Sequence, residues 1–334
     1  MLNPKAPALI LAPMEGITDA PMRALQGETG AFTFAVSEFL RVSTNPLGAN
    51  QILRSVPELA NNCATPTGLH VQIQLLGGDP ELMAESAHNA ICAGAQGVDI
   101  NFGCPAKTVN KHDGGASLLR HPHRIFEIVS AVREAVPPAF PVSAKLRLGW
   151  DNVDDIRVNA DMAQKGGASW LTVHARTRTQ GYLPPVFWKS VGNVKRGSSV
   201  PIVANGDIWN FEDFLQCREE TNCLHFMIGR GALSNLDLPA LISRELGLPH
   251  DLKPFGGWSD AFHRLSRLMR DMGAPSDRVI LMKLKQWIKI AHLHGSFHDF
   301  DKLKVSESLA DFFSTLGSRS TQTPSVAKRT LASS

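Results

Sequence analysis

A chain of 334 residues with 43% hydrophobic and 19% charged side chains has neither the apolar depletion of a disordered polypeptide nor an apolar run long enough to span a bilayer. It has room for one large domain of roughly 240 residues and a smaller one of under about 100. A formal charge of +3 is too small to argue for a nucleic-acid partner by itself. Cys63, Cys92, Cys104, Cys217 and Cys223 contain no CxxC pair, so reduced thiols in a cytoplasm are expected rather than a disulfide framework. Residues 1–8 carry no separate apolar stretch followed by a small-residue cleavage site, so no export signal is read.

In chain order, eight short apolar or β-branched runs cover residues 8–12, 32–37, 70–75, 97–100, 141–146, 170–173, 201–204 and 224–228. Runs such as ILA, VDI, LTV, PIVA and FMI read as near-continuous apolar runs, as expected of parallel strands buried on both faces. Longer amphipathic stretches separate them, among them 80–93, 124–135 and 153–165. In the first of these, Leu82, Met83, Ser86, Ala90 and Ile91 form one sheet-facing stripe at helical steps. Alternation alone also suits a doubly wound sheet. The repeat number of eight, and polar residues gathered just past the strand C-termini, favour a (β/α)8 TIM barrel over residues 1–248. After Leu248 the segment PHDLKPFGGW is rich in Pro and Gly and no further strand-like run follows. Helices are expected at 259–272, 278–294 and 302–316, which makes residues 249–316 a small all-helical domain. The Ser-, Thr- and Arg-rich segment 317–334 reads as a disordered tail.

The strand ends carry the chemistry. Strand one runs into Pro13-Met14-Glu15-Gly16, where a flat ligand can approach the backbone, although taken by itself the segment reads more readily as a tight βα turn. Strand three ends in Gln74, an amide among apolar neighbours that needs either backbone groups or a ligand with donor and acceptor edges. Strand four opens into Asn101-Phe102-Gly103-Cys104-Pro105, followed by Lys107, Asn110 and Gly114-Gly115. A cysteine between glycine and proline at a barrel strand end is a candidate catalytic group. Cys92 and Cys217, each within a helical pattern, read instead as small buried hydrophobes.

On strand five Lys145 and Arg147 point to one side by alternation. If that side is the interior, two cations there require an anionic partner, and reduced flavin is one. Strand six ends in His174-Ala175-Arg176, strand seven in Asn205-Gly206-Asp207 and strand eight in Gly229-Arg230-Gly231. The loops after strands seven and eight are where barrels bind phosphate. His292, His294 and His298 have ligand-like spacing but no cysteine or acidic partner close by, so no metal site is read.

The segments APMEGITD, DINFGCPAKTVN, AKLRLGW, VHARTRTQGY, IVANGDI and MIGRGAL, with the strand ending in Gln74, span residues 9 to 235 in order. Together they resemble the tRNA-dihydrouridine synthases. Within that family SEFLRV near Arg41 and LKQW at 284–287 look most like the bacterial class C enzymes, which act on a D-loop uridine at tRNA position 16. The resemblance implies that Pro13, Met14, Glu15, Gln74, Lys145, His174, Asn205, Gly206, Asp207, Gly229 and Arg230 contact FMN. It implies that Cys104 donates a proton to the substrate and that NADPH supplies the electrons. It also places Arg41, Asn101, Arg147 and Arg176 around the flipped uridine or its neighbouring phosphates. An aspartate at 207 beside a flavin phosphate departs from expectation, because its backbone amide rather than its carboxylate would have to bind.

Residues 262–292 hold Arg264, Arg267, Arg270, Arg278, Lys283, Lys285 and Lys289 against only Asp271 and Asp277. By charge alone this is as readily a solvated surface as a nucleic-acid face. Beside a tRNA-modifying barrel, Lys283, Lys285 and Lys289 become candidate tRNA contacts, with Lys285 and Lys289 on one helix face. A monomer is expected. The rival readings are a flavin barrel acting on a free small molecule and an RNA-binding barrel that has lost catalysis.

Overall fold

The computed structural model describes residues 1–106, 114–248, 251–295 and 297–317. Lys107, Asn110 and the expected tail beyond 317 lie outside the described residues. Eight strands, β1 Ala8–Leu11, β2 Phe34–Arg41, β3 Val71–Leu76, β4 Val98–Phe102, β5 Val142–Arg147, β6 Leu171–His174, β7 Ile202–Asn205 and β8 His225–Ile228, pair in sequence order. β8 returns in parallel to β1, so the barrel closes. Each apolar run expected to be a strand lies in one, but the ends shift. β2 continues to Arg41 through a register irregularity between Val36 and Phe39. Its half-buried Glu38 and exposed Arg41 had hidden that extension, because the strand there projects past the core to the rim. β3 likewise does not end at Gln74 but runs on through Leu76, and β4 includes Asn101 and Phe102.

Between the strands lie α1 Ala20–Glu28, α2 Ala49–Ser55, α3 Pro80–Cys92, α4 Pro122–Ala135, α5 Ile156–Lys165, α6 Trp188–Gly197 and α7 Phe211–Thr221. Proline in the first turn and an aspartate cap (Asp19, Asp79) start α1 and α3. α3 buries Met83, Ser86, Ala87 and Ala90 against the sheet. Cys92, the last residue of that helix, is exposed rather than buried, because it falls off this stripe, whereas Cys217 is buried as expected.

After β8 come α8 Arg230–Ser234, α9 Leu238–Glu245, α10 Trp258–Asp271, α11 Asp277–His294, α12 Phe300–Leu303 and α13 Leu309–Gly317. The single helix expected at 302–316 is two pieces. Ser308 accepts the Asp311 N–H and the Asp311 carboxylate accepts the Glu307 N–H, a reciprocal cap that begins a new helix. Phe262, Leu284, Trp287 and Phe312 centre an apolar cluster that takes in Met22 and Leu25 of α1 and Leu233 of α8. Trp287 Nε1 donates to the Leu233 carbonyl at 2.8 Å, which anchors these helices beside the β1 and β8 ends. No helix among the described residues is long and apolar enough to cross a membrane.

The barrel interior is divided. Ala8, Ile10, Phe34, Val36, Val203 and Met227, from β1, β2, β7 and β8, form an apolar side with Trp170. β3, β4 and β5 contribute Gln72, Gln74, Asp99, Asn101 and Ser143, all buried and joined by hydrogen bonds.

Candidate active site

A cavity of about 510 Å³ opens over the C-terminal ends of the strands, where barrel sites are built. Its wall brings together Pro13, Met14 and Glu15 after β1, Asn101 and Cys104 from β4 and its loop, and Lys145 and Arg147 of β5. His174, Asn205, Gly206, Asp207, Gly229 and Arg230 complete it.

The β1 loop is held from two sides. The Thr18 hydroxyl accepts the Met14 N–H at 2.7 Å and reaches the Ala12 carbonyl at 3.3 Å. Buried Arg23 donates to the Thr18 carbonyl at 2.6 Å while its other nitrogens grip the equally buried Glu58. From α11, Lys283 Nζ donates to the carbonyls of Gly16 at 3.2 Å and Ile17 at 2.8 Å and pairs with Asp19 at 2.7 Å. Lys283 is therefore buried against the loop rather than presented to solvent like Lys289. Charge counting along the helix could not reveal this, because the partners are some 265 residues earlier in the chain. Lys283→Met should cost about 2 to 3 kcal/mol of stability, the value of hydrogen bonds to a charged group tempered by the partly open Asp19. Thermal unfolding checks this against Lys289→Met, which is expected to be neutral.

The cysteine turn is held by β4 and β5. Asn101 Oδ1 accepts the N–H groups of Gly103 and Cys104, both at 2.9 Å. Arg147 Nε donates to the Gly103 carbonyl at 2.8 Å, and its NH1 to those of Thr177 and Gly181 at 3.0 and 2.7 Å. The guanidinium thus ties the β4 and β6 loops together. Burial pushes the Cys104 thiol above its ordinary range; the Ala106 backbone and the Arg147 and Lys145 charges pull against this, and Glu15 adds to it. At neutral pH the thiol is an acid rather than a nucleophile. Burial and Arg147 bring Lys145 down to about 8, opposed by Asp99 and Cys104. Burial and four surrounding cations hold His174 well below its usual range, so it is neutral. Its Nδ1 has no partner among the described residues.

At the far end, Arg230 lies between the rings of Tyr182 and Trp209, 4.3 and 4.7 Å from their centroids, and His294 of α11 stacks on Trp209 at 4.2 Å. Gly206 has φ +113° and a Cβ there would meet the His174 ring at 3.2 Å, so only glycine lets this backbone line the cavity. The Asp207 carboxylate pairs with buried Arg176, which neutralises it. That pairing leaves the carboxylate no net charge to set against an anion in the cavity, and it places Arg176 behind the wall.

Residues 10–253 match the profile of the dihydrouridine synthase family. The chain belongs to that family. A tRNA-dihydrouridine(16) synthase of Vibrio vulnificus is 46% identical over 310 residues, 91% of this chain and 95% of the relative. One of Shewanella oneidensis is 39% identical over 88% of this chain and 91% of the relative, and one of Ralstonia nicotianae 45% identical over 86% and 83%. Among solved structures, 2-naphthoyl-CoA reductase is 13% identical at TM-score 0.54, over 71% of this chain and 50% of that one. At that identity the likeness is one of fold alone.

Three residues expected at the site stand apart from its wall. Gln74 is fully buried behind Asn101, its amide met by Asp99 and Asn101 rather than by backbone. Arg41 is exposed at the end of β2, in a separate depression with Thr44, Gly77 and Asp79. Arg176 is held by Asp207, as above. Conversely Tyr182, Trp209 and Asp99 belong to the site or its support and were not singled out from sequence. Tyr182 had a signal, being the sole tyrosine of the chain and within VHARTRTQGY, whereas Trp209 had none beyond following strand seven and Asp99, inside β4, had none.

Proposed function

We propose that this member of the dihydrouridine synthase family uses FMN and NADPH to reduce a D-loop uridine of tRNA, at position 16, to 5,6-dihydrouridine. The observation that carries the reading is Cys104, a thiol kept protonated by burial on a turn fixed by Asn101 and Arg147. The residues fit a flat, anionic cofactor. Ala12, Met14 and Ile228 offer an apolar face, Gly206 and Gly229 allow close backbone approach, and Lys145 and Arg230 supply charge. Nδ1 of His174, which has no partner among the described residues, adds an unmet polar group. Bound there, reduced FMN would supply a hydride for uracil C6.

The protein's own part is positional and acid–base. Pro13, Met14 and Glu15 present the β1 backbone, which Thr18, Arg23 and Lys283 hold in place. Lys145 holds negative charge at the cavity wall as its ammonium. Asn205 is oriented by donating to the Met227 carbonyl at 2.8 Å. Cys104 Sγ–H gives its proton to uracil C5, completing saturation of the C5–C6 bond. Because the reaction occurs on the faces of the base, the uridine must leave its stack to enter the cavity.

Arg278, Lys285 and Lys289 share a face of α11 and have no ion-pair partner among the described residues, unlike Arg264, Arg270 and Lys283. They support phosphate contact. With about three phosphates neutralised, tRNA affinity should fall with salt at a log–log slope of roughly −2 to −3; a slope near zero would remove this face from the complex. The deciding test incubates unmodified tRNA with the purified protein and NADPH and maps added hydrogens by mass. A gain of two hydrogens at position 16 is expected. A gain elsewhere would overturn the position, and no gain from flavin-loaded protein would overturn the reaction.

A further inference from the structure

We propose that Asp99 is a positioning residue for Cys104, acting through two amides in series, Gln74 and Asn101. The inference rests on the reading of Cys104 as the proton donor. Asp99 sits on β4 wholly inside the barrel. Its Oδ1 accepts the Ser143 hydroxyl at 2.6 Å and its Oδ2 accepts Gln74 Nε2 at 2.7 Å. Gln72 Nε2 donates to Ser143 Oγ at 3.0 Å, so that hydroxyl's own proton is directed at Asp99.

A primary amide has a donor end and an acceptor end, and the two differ little in shape. The Asp99 carboxylate settles which way round Gln74 lies, because an amide oxygen facing a carboxylate oxygen is repelled and an NH2 is bound. With its nitrogen committed, Gln74 presents Oε1 towards β4, where Asn101 Nδ2 donates to it at 2.8 Å. Asn101 in turn presents Oδ1, the atom that accepts the N–H groups of Gly103 and Cys104. Donors therefore run in one direction from the cysteine turn to the core anion, and every amide in the series has the orientation its neighbours require. Were Gln74 reversed, its NH2 would confront that of Asn101. Asn101 could then relieve the clash only by turning its own NH2 towards two backbone donors.

A buried carboxylate in an otherwise close-packed barrel is costly. Burial raises the Asp99 carboxyl, while Ser143, Gln74 and the Lys145 charge act to keep it ionised. Both carboxylate oxygens act as acceptors, as the ionised form requires. Asp99 does not line the cavity, so its effect on the reaction passes through the turn and through the charge it sets beside Lys145; alkylation of Cys104 reads the first of these alone.

Asp99→Asn keeps the shape but can accept on one oxygen only, so either Ser143 or Gln74 meets a second donor. Gln74→Met breaks the series in the middle and leaves Asp99 with Ser143. The experiment alkylates the flavin-loaded protein with iodoacetamide and follows Cys104 and Cys92 in one digest, Cys92 being exposed at the end of α3 and outside the relay's hydrogen bonds. In both variants Cys104 should react at least about threefold faster as its turn loosens, the worth of a hydrogen bond, with Cys92 unchanged. Single-turnover uridine reduction by Asp99→Asn should slow by at least about tenfold while KM for tRNA stays within about twofold. Ser143→Ala should leave Cys104 alkylation near the wild-type rate, since the amide series remains. Alkylation of Cys104 within about twofold of wild type in a folded Asp99→Asn or Gln74→Met protein overturns the proposal. Should the wild-type protein reduce no uridine, the functional reading fails, and the alkylation comparison still decides the relay.

Discussion

Cys104→Ala is expected to keep its flavin and its affinity for tRNA and to form dihydrouridine about 10³-fold more slowly, the range lost with a general acid. The turn that carries the thiol is tied through backbone atoms. Asn101 binds the N–H of residues 103 and 104, Arg147 binds the Gly103 carbonyl, and the Ala116 N–H reaches the Cys104 carbonyl at 3.1 Å. None of these involves Sγ, so its removal leaves the wall in place. Flavin absorbance, fluorescence anisotropy with labelled tRNA, and mass quantification of product under saturating tRNA separate binding from chemistry. Near-normal turnover would assign the proton to another donor. Cys104→Ser restores a donor of weaker acidity and should recover only part of the rate.

The second large effect concerns Lys145. Its ammonium is charged below about 8 and neutral above, so a step that needs a cation at the cavity wall is fully supported below that pH. Support is lost as pH rises through it. The Cys104 thiol, raised above its ordinary range, remains protonated further into the alkaline region. The first alkaline limb of kcat/KM, which reports the free protein, therefore belongs to Lys145 and should lie at or above about pH 8, because a bound anionic flavin favours the ammonium. Lys145→Met should abolish that limb and lower activity throughout. It should also make bound flavin harder to reduce, by about 30 mV for each 1.4 kcal/mol of lost charge stabilisation in a two-electron couple. A limb that persists in Lys145→Met would assign the titration elsewhere.

Stability moves the other way. The folded pKa of Lys145 is depressed below that of the unfolded chain, so the cost of its buried charge is fully present below about pH 8. It is relieved as pH rises towards the free-lysine value. Lys145→Met in the flavin-free protein should therefore unfold at an equal or higher temperature than wild type at pH 7, in contrast to Lys283→Met. Two lysines that look alike in sequence thus have opposite effects on stability. One is a cation at the cavity wall that the proposed flavin would pair, and the other already has its carbonyls and carboxylate.

Much of the fold was legible in the chain itself. Parallel strands buried on both faces read as largely apolar runs, and each of the eight runs expected to be a strand overlaps one. What blurred were the strand ends, as at Glu38 to Arg41 and at Asn101, where the strand enters the polar rim and the apolar signal stops before the hydrogen bonding does. The wall of the cavity was legible for the same geometric reason. In a closed barrel every strand ends at one rim, so Cys104, Lys145, His174, Asn205 and Arg230, each at or just beyond a strand end, had to converge.

Partners were decided only by tertiary structure. Arg147 and Arg176 have the same side chain, yet one ties the cysteine turn to the loop after β6 through three carbonyls and the other neutralises Asp207. Lys283 and Lys289 share a helix, yet only one finds the β1 loop. Gln74 was visible as a polar residue that needed a partner, but not that Asp99 and Asn101 of the neighbouring strand would be the ones to meet it. Periodicity along a strand or helix says which way a side chain points. Which group waits there depends on register between strands and on loops that arrive from distant parts of the chain.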